Sequence, residues 1–221
     1  PKVTVQPQDG RLLLETSAER FDVILVGIME PSNLQTNRLF TREFFGLVWQ
    51  RLQEGGLLLI GLPGSMTYLN EELKDLNSCI FHTLTGVFDH IRVFPGDSRN
   101  LFMASDAASI RTMGREQVVA RLHQRHIRAE GTMPWYIENR LHDGWQGWFA
   151  RLIEDGSRRM NSDFRPMGLF YSIAHWNALF APSLRGVFNT IEKLSLKGII
   201  LASAFLLLGY LMLRHLNADL V

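Results

Sequence analysis

The 221-residue chain is predicted to be an α/β protein: part of a doubly wound sheet, then a helical connector, then a C-terminal transmembrane helix. Three observations lead to this prediction. Strand-like and helix-like segments alternate from residue 2 to about 105, as in parallel sheets with crossover helices. Residues 107–162 mix scattered arginines and tryptophans with modest helical periodicity. Residues 198–213 carry no charged side chain.

The first elements are short. Val3–Val5 is predicted to be a strand that stops at the turn residues 7–10. Arg11–Glu19 is predicted to be a short helix. Asp22–Val26 is rich in β-branched and aliphatic residues and is predicted to be a buried parallel strand. Pro31–Asn37 is predicted to be a loop.

The next helix has clear boundary signals. Thr41 is a predicted N-cap, and apolar residues follow it at helical spacing up to Leu52. The pair Gly55-Gly56 is predicted to stop this helix, since glycine commonly follows a helix C-terminus. Leu57–Leu62 is then the next buried strand.

The last part of the sheet should be a hairpin. Asn70 is predicted to cap a helix that runs to Leu84. Val87–Phe94 and Leu101–Ser105 are predicted to be two further strands. The short segment between them favours an antiparallel pairing.

The C-terminal part predicts a membrane segment. The uncharged run 198–213 is sixteen residues long, slightly under the roughly 17–25 that a spanning helix needs. Lys197 and Arg214 at its ends could extend it by snorkelling. A buried core helix is the alternative. The spanning interpretation is preferred because a run that is apolar on every side has no polar face to present to water.

Composition excludes several classes of protein. The formal net charge is +1, and no basic stripe with interleaved aromatics is found, so nucleic acid is not an expected partner. The single cysteine, Cys79, rules out an internal disulfide and a thiolate metal cluster. No metal site is predicted: His123 and His126 lack further ligands at metal-binding spacing and are interpreted as surface histidines.

Three motifs resemble the spermidine synthase (polyamine aminopropyltransferase) family. They are the strand with its loop at 21–32 (FDVILVGIMEPS), the run 39–45 (LFTREFF) and the run 52–56 (LQEGG). The family pattern is a hydrophobic strand followed by Asp-x-x-Asp-Pro, then Leu-Tyr/Phe-Thr/Ser-x-Glu-Phe-Tyr/Phe, then Leu-x-x-Gly-Gly. The resemblance covers roughly residues 3–105 and implies a methyltransferase-like or Rossmann-like sheet.

The resemblance also implies site residues and departures from them. Asp9 and Gly10 match the family pair that binds the adenine, the Asp accepting a hydrogen bond from the amino group; an ordinary Asp-Gly turn is the alternative. Gly27 stands where the family has its catalytic Asp. Glu30 matches the second acidic position and is the one catalytic candidate, though its match is weak. The alternative is that Glu30 is a solvated loop carboxylate. The run 94–100 (FPGDSRN) replaces the family segment whose tyrosine lines the acceptor channel.

A further motif resembles a bacterial subset of the family. Residues 161–166 (NSDFRP), followed by Phe170-Tyr171 and His175-Trp176, resemble synthase-like proteins fused to transmembrane helices. We therefore predict three parts: a C-terminal half of a synthase-like domain at 1–106, a helical connector at 107–162, and a membrane-associated segment at 163–221. The chain, which starts at Pro1, is expected to be part of a longer polypeptide.

The predicted function is that of a membrane-anchored spermidine-synthase-like protein. It would bind S-adenosylmethionine or its decarboxylated form without covalent attachment, and it would not be a standard putrescine aminopropyltransferase. The alternative is a non-catalytic structural or partner-binding subunit of a membrane complex. Expected partners are membrane lipid and, less specifically, membrane proteins or a second copy. The expected location is the bacterial inner membrane, with the synthase-like domain facing the cytoplasm.

Overall fold

In the computed structural model the described residues are 3–28, 30–127, 134–193 and 196–218. They divide into two compact units, Pro1–His175 and Trp176–Val221. The first unit contains the sheet and every predicted site residue, and it is described first.

A four-stranded mixed sheet organises the first unit. Its strands are β1 (Phe21–Val26), β2 (Leu52–Pro63), β3 (His90–Phe94) and β4 (Arg99–Ser105), in the spatial order β1-β2-β4-β3. β1 and β2 are parallel, whereas β4 is antiparallel to both of its neighbours. The predicted β3–β4 hairpin is confirmed. Only one of these pairings is parallel, because the short loop between β3 and β4 leaves no room for a crossover helix.

The helices of this unit follow the predicted alternation up to β4 and then continue through the connector. They are α1 (Gly10–Thr16), α2 (Leu34–Asn37), α3 (Arg42–Arg51), α4 (Glu71–Thr85), α5 (Ser109–Thr112), α6 (Arg115–Gln124), α7 (Pro134–Leu141), α8 (Asp143–Glu154) and α9 (Met167–Phe180), the last of which extends past residue 175. The predicted caps Thr41 and Asn70 are confirmed. Their side-chain oxygens accept hydrogen bonds from the backbone N–H groups of Phe44 and Leu73.

Three local predictions are wrong. The loop predicted from Pro31 contains the short helix α2. Residues 3–7 are exposed and form no strand. Helix α3 ends at Arg51, and Gly55-Gly56 lies inside β2. The pairing of β2 with β1 is what ends the helix, since Leu52 already pairs with Phe21. The register then shifts before the next pair, and Gly55 takes a φ of +72° in that irregular stretch, a conformation that favours glycine.

The core lies between the sheet and helices α3, α4, α8 and α9. Its largest fully buried hydrophobic side chains include Phe40, Phe45, Phe102 and Leu58. Phe102 of β4 meets Phe149 of α8 edge to face, with ring centroids 5.8 Å apart. The connector therefore supplies part of the core that covers the sheet.

The second unit is helical and corrects the membrane prediction. After the end of α9 come a short 3₁₀ turn (Pro182–Leu184), α10 (Arg185–Lys193) and α11 (Leu196–Ala218). Within the described ranges, no helix combines the length and the hydropathy required of a membrane span. The uncharged stretch of α11 is short for a span, because its sixteen residues rise about 24 Å, against a hydrocarbon thickness of about 30 Å. The predicted transmembrane helix and the inner-membrane location based on it are wrong.

Candidate functional site

The predicted site lies where β1 and β2 end. Because these strands are parallel, the residues that follow Val26 and those that follow Pro63 leave the sheet at the same edge. The antiparallel β4 begins there too, since Arg99 pairs with Pro63. Ligands of open α/β sheets bind outside the carboxyl ends of the parallel strands. We call this side the carboxyl edge.

Two loops meet at the carboxyl edge. The backbone N–H of Gly64 donates to the carbonyl of Ser98 over 3.3 Å, and the N–H of Met66 donates to Oδ1 of Asp97 over 3.3 Å. Beneath them Asn100 donates to Oδ1 of the buried Asn77 over 2.9 Å. The run 94–100 is thus held against the loop after β2 by backbone donors and against α4 by a pair of buried amides.

Gly27 follows β1 directly and has space around it. A Cβ atom added to it would meet no atom within 4 Å, and the same is true of Gly10. Both glycines line one open groove of about 400 Å³ along β1. Its ten other lining residues are all apolar: Leu13, Leu14, Phe21, Val23, Ile24, Leu25, Val26, Ile28, Leu39 and Phe44. Crowding at the Cβ position therefore does not exclude a side chain at residue 27.

Asp9 caps helix α1. Its Oδ1 accepts a hydrogen bond from the backbone N–H of Leu12 over 3.0 Å and one from Nη2 of Arg38, also over 3.0 Å. The carboxylate is about half exposed, so solvent and ligands can reach it. The structure brings its neighbour Gly10 and Gly27 to one groove. Whether Asp9 also binds an adenine stays a prediction.

Glu30 has a charged neighbourhood that sequence reasoning missed. His175 of α9 lies within electrostatic range of Glu30 and of Glu72 at the start of α4. Its Nδ1 is 3.0 Å from Oδ1 of Asn70. Burial lowers the pKa of His175 and the two carboxylates oppose that shift. The only sequence signal was the place of His175 in the motif after residue 161, where it was not read as a chemical group.

The same motif ties the end of the connector to the first helix. Nη1 and Nη2 of Arg11 donate to the two carboxylate oxygens of Asp163 over 2.9 and 2.7 Å. Asp163 also accepts from the hydroxyl of Thr41 over 2.9 Å. These hydrogen bonds, first of all the one from Arg11, hold the pKa of Asp163 below its ordinary value.

Asn161 is fully buried beside this contact. Its amide nitrogen donates to Oδ1 of Asn37 and to the carbonyl of Phe40, both over 3.0 Å. Its Oδ1 accepts from the backbone N–H of Gly168, and its backbone N–H donates to the hydroxyl of Thr83. Asn161 thus joins α9 to the loop before α3 and to α4.

Comparison with known proteins gives a consistent result. Residues 1–106 match the family described as the spermine/spermidine synthase domain. A polyamine aminopropyltransferase of Oceanobacillus iheyensis is 41% identical over 59 residues, which are 27% of this chain and 12% of that protein. The polyamine aminopropyltransferase of Pyrobaculum aerophilum is 26% identical over 136 residues, 59% of this chain and 46% of that protein.

One solved structure is also similar, a probable spermidine synthase from Corynebacterium glutamicum. It is 23% identical, with a TM-score of 0.36, over 46% of this chain and 37% of that one. The chain spans less than half the length of the curated relatives named above. On the family match and these relatives, residues 1–106 of the chain belong to the spermidine-synthase-like family.

Proposed function

We propose that this protein is a spermidine-synthase-like protein that binds S-adenosylmethionine or its decarboxylated form and is not a standard putrescine aminopropyltransferase. The family substrate brings a sulfonium whose adjacent methylene is open to attack by an amine. The acceptor amine must lose a proton as it attacks. A carboxylate at the end of β1 would take that proton and hold the cationic acceptor.

Gly27 is the observation that carries the proposal. It stands at the position of that carboxylate in the sequence pattern, and it can neither accept a proton nor attract a cation. A Cβ atom at this position would meet no atom within 4 Å, so the backbone leaves room for a side chain to begin there. A lost general base typically costs about 10²–10⁴-fold in rate. Asp9 and Gly10 would hold the nucleotide on the other side of the groove.

The experiment compares three full-length proteins: wild type, Gly27→Asp and Gly27→Asn. Calorimetry measures binding of decarboxylated S-adenosylmethionine, and mass spectrometry measures aminopropyl transfer to putrescine. We expect all three to bind the nucleotide and only Gly27→Asp to gain transfer, by about 10²-fold or more. The asparagine control has the same size without the charge. Wild-type turnover within the ordinary enzyme range, on the order of 1–10³ s⁻¹, would contradict the proposal.

A second candidate function is a non-catalytic packing or partner-binding domain. The observation in its favour is that Oδ1 of Asp9 already accepts two hydrogen bonds within the protein, from the backbone N–H of Leu12 and from Arg38. Asp9 therefore has a structural role without any nucleotide. Asp9→Ser keeps a capping side chain but removes the second carboxylate oxygen. If wild type and Asp9→Ser give the same absence of nucleotide binding, this second function is favoured. A loss of binding only in Asp9→Ser supports the first.

A further inference from the structure

Helix α9 contacts one residue from the segment after β1 and one from the segment after β2. Near its beginning, the backbone N–H of Leu169 donates to Oδ1 of Asn37, the last residue of α2. Two turns later His175 contacts Asn70, which follows β2. The helix is thereby held in place at two points. His175 is thereby held beside Asn70, the residue that caps α4 in the segment after β2.

The contacts of Asn70 determine which ring nitrogen of His175 carries the proton. Oδ1 of Asn70 accepts from the backbone N–H of Leu73, so this atom is the carbonyl oxygen of the amide. The partner of that oxygen in His175 must be a donor, which makes Nδ1 the protonated nitrogen. In the neutral ring Nε2 then carries the lone pair and is the basic atom.

The charges around His175 come from two elements. Glu30 lies in the loop after β1 and Glu72 in the first turn of α4, and both favour the protonated ring. The ring is half-buried, and burial, the largest influence, lowers its pKa. Burial therefore favours the neutral imidazole, which can accept a proton. The carboxylates of Glu30 and Glu72, within electrostatic range of the ring, can attract a cationic amine and then stabilise the imidazolium.

We propose that His175 is the proton acceptor for an amine bound at the carboxyl edge, in place of the carboxylate missing at Gly27, with Asn70 orienting the ring. This inference rests on the proposed nucleotide binding. Nε2 takes a proton from the primary ammonium group of the acceptor. The freed nitrogen lone pair forms a bond to the methylene next to the sulfonium, the carbon–sulfur bond breaks, and its electron pair stays on sulfur as a neutral thioether. The imidazolium later returns its proton to water.

The first test uses full-length wild type and His175→Gln, with decarboxylated S-adenosylmethionine and putrescine as probes. Calorimetry of nucleotide binding and single-turnover transfer are measured separately. We expect equal nucleotide binding and a fall in the residual transfer of about 10²-fold. In the Gly27→Asp background the same substitution should cost much less, because the new carboxylate takes the proton. Two outcomes overturn this inference alone. One is unchanged transfer in His175→Gln, and the other is wild-type transfer at the uncatalysed rate although the nucleotide binds. Absence of nucleotide binding overturns the proposed function with it.

The second test separates a proton acceptor from a structural histidine. Asn70→Asp keeps a good N-cap residue for α4 but places a carboxylate against the Nδ1–H of His175. That carboxylate should raise the pKa of His175, measured by NMR titration. The pH at which the rate of aminopropyl transfer reaches its plateau should rise together with the pKa of His175. A transfer profile that stays in place while the NMR titration moves overturns the proposal.

Discussion

Arg11 and Asp163, 152 residues apart in the sequence, meet through two parallel hydrogen bonds of 2.9 and 2.7 Å. This paired geometry is the strongest that a guanidinium and a carboxylate can form. It fastens the segment after the connector to the helix that begins at the predicted nucleotide side. Thr41, the cap of α3, donates to the same carboxylate. One acidic side chain thus joins two helix starts.

Asp163→Asn should lower stability in a pH-dependent way. The folded-state pKa of Asp163 is depressed, chiefly by its hydrogen bond from Arg11, so its contribution to stability is present above the unfolded-state pKa and is lost as the pH falls through the folded-state pKa. We expect a cost of about 1 kcal/mol at pH 7, since the pair is partly exposed. Urea denaturation at pH 7 and pH 3 measures it. Glu19→Gln, at an exposed position, is the control, and an equal cost at both pH values would contradict the assignment.

Asn161→Ala should be among the more damaging substitutions in the chain. It leaves the buried Oδ1 of Asn37 and the carbonyl of Phe40 without this donor, and the N–H of Gly168 without its acceptor. We expect a loss of about 2–4 kcal/mol, since each abandoned buried group costs about 1–3 kcal/mol. Denaturant unfolding measures the loss. Ser162→Ala, next in sequence and only partly buried, should cost less than half as much.

Two glycines should respond to alanine in opposite directions. In Gly56→Ala the new Cβ would lie 2.9 Å from the carbonyl oxygen of Gln53 and 3.1 Å from that of Phe21. These are backbone atoms of the paired strands, so we expect a loss of about 1–3 kcal/mol. In Gly46→Ala, within helix α3, the Cβ meets nothing within 4 Å. That variant should gain about 0.5–1 kcal/mol, because alanine favours a helix. Thermal unfolding of the two variants gives the comparison.

Cys79 should be unreactive in the folded protein. The side chain is fully buried in α4, and burial raises the pKa of its thiol, so almost no thiolate forms at neutral pH. We expect a colorimetric thiol reagent to react only as fast as the core opens. In urea above the unfolding midpoint one thiol per chain should react at once. Rapid labelling in native buffer would show that the packing around α4 is looser than described.

The elements that sequence reasoning identified correctly depend on local chemistry. Thr41 and Asn70 cap helices through their own side chains, and the β3–β4 hairpin needs only two apolar runs with a short turn. The end of α3 was mispredicted because pairing with β1 draws Leu52 into the sheet, which no local signal encodes. His175 was missed for a similar reason. Its approach to Asn70 and Glu30 depends on how α9 packs, and one sequence does not contain that distance.

Within the described part of the chain, no strand pairs with the outer side of β1, which lies at the margin of the sheet. Val23 and Leu25 are 49% and 66% exposed on this strand. A strand that is paired along one side only and carries exposed aliphatic side chains is a template for another extended chain. The apparent molar mass of this polypeptide, measured by static light scattering, should therefore rise with concentration. Val23→Lys, which puts a charge on this strand, should suppress the rise. The colloidal behaviour of the protein would then be governed by one six-residue strand.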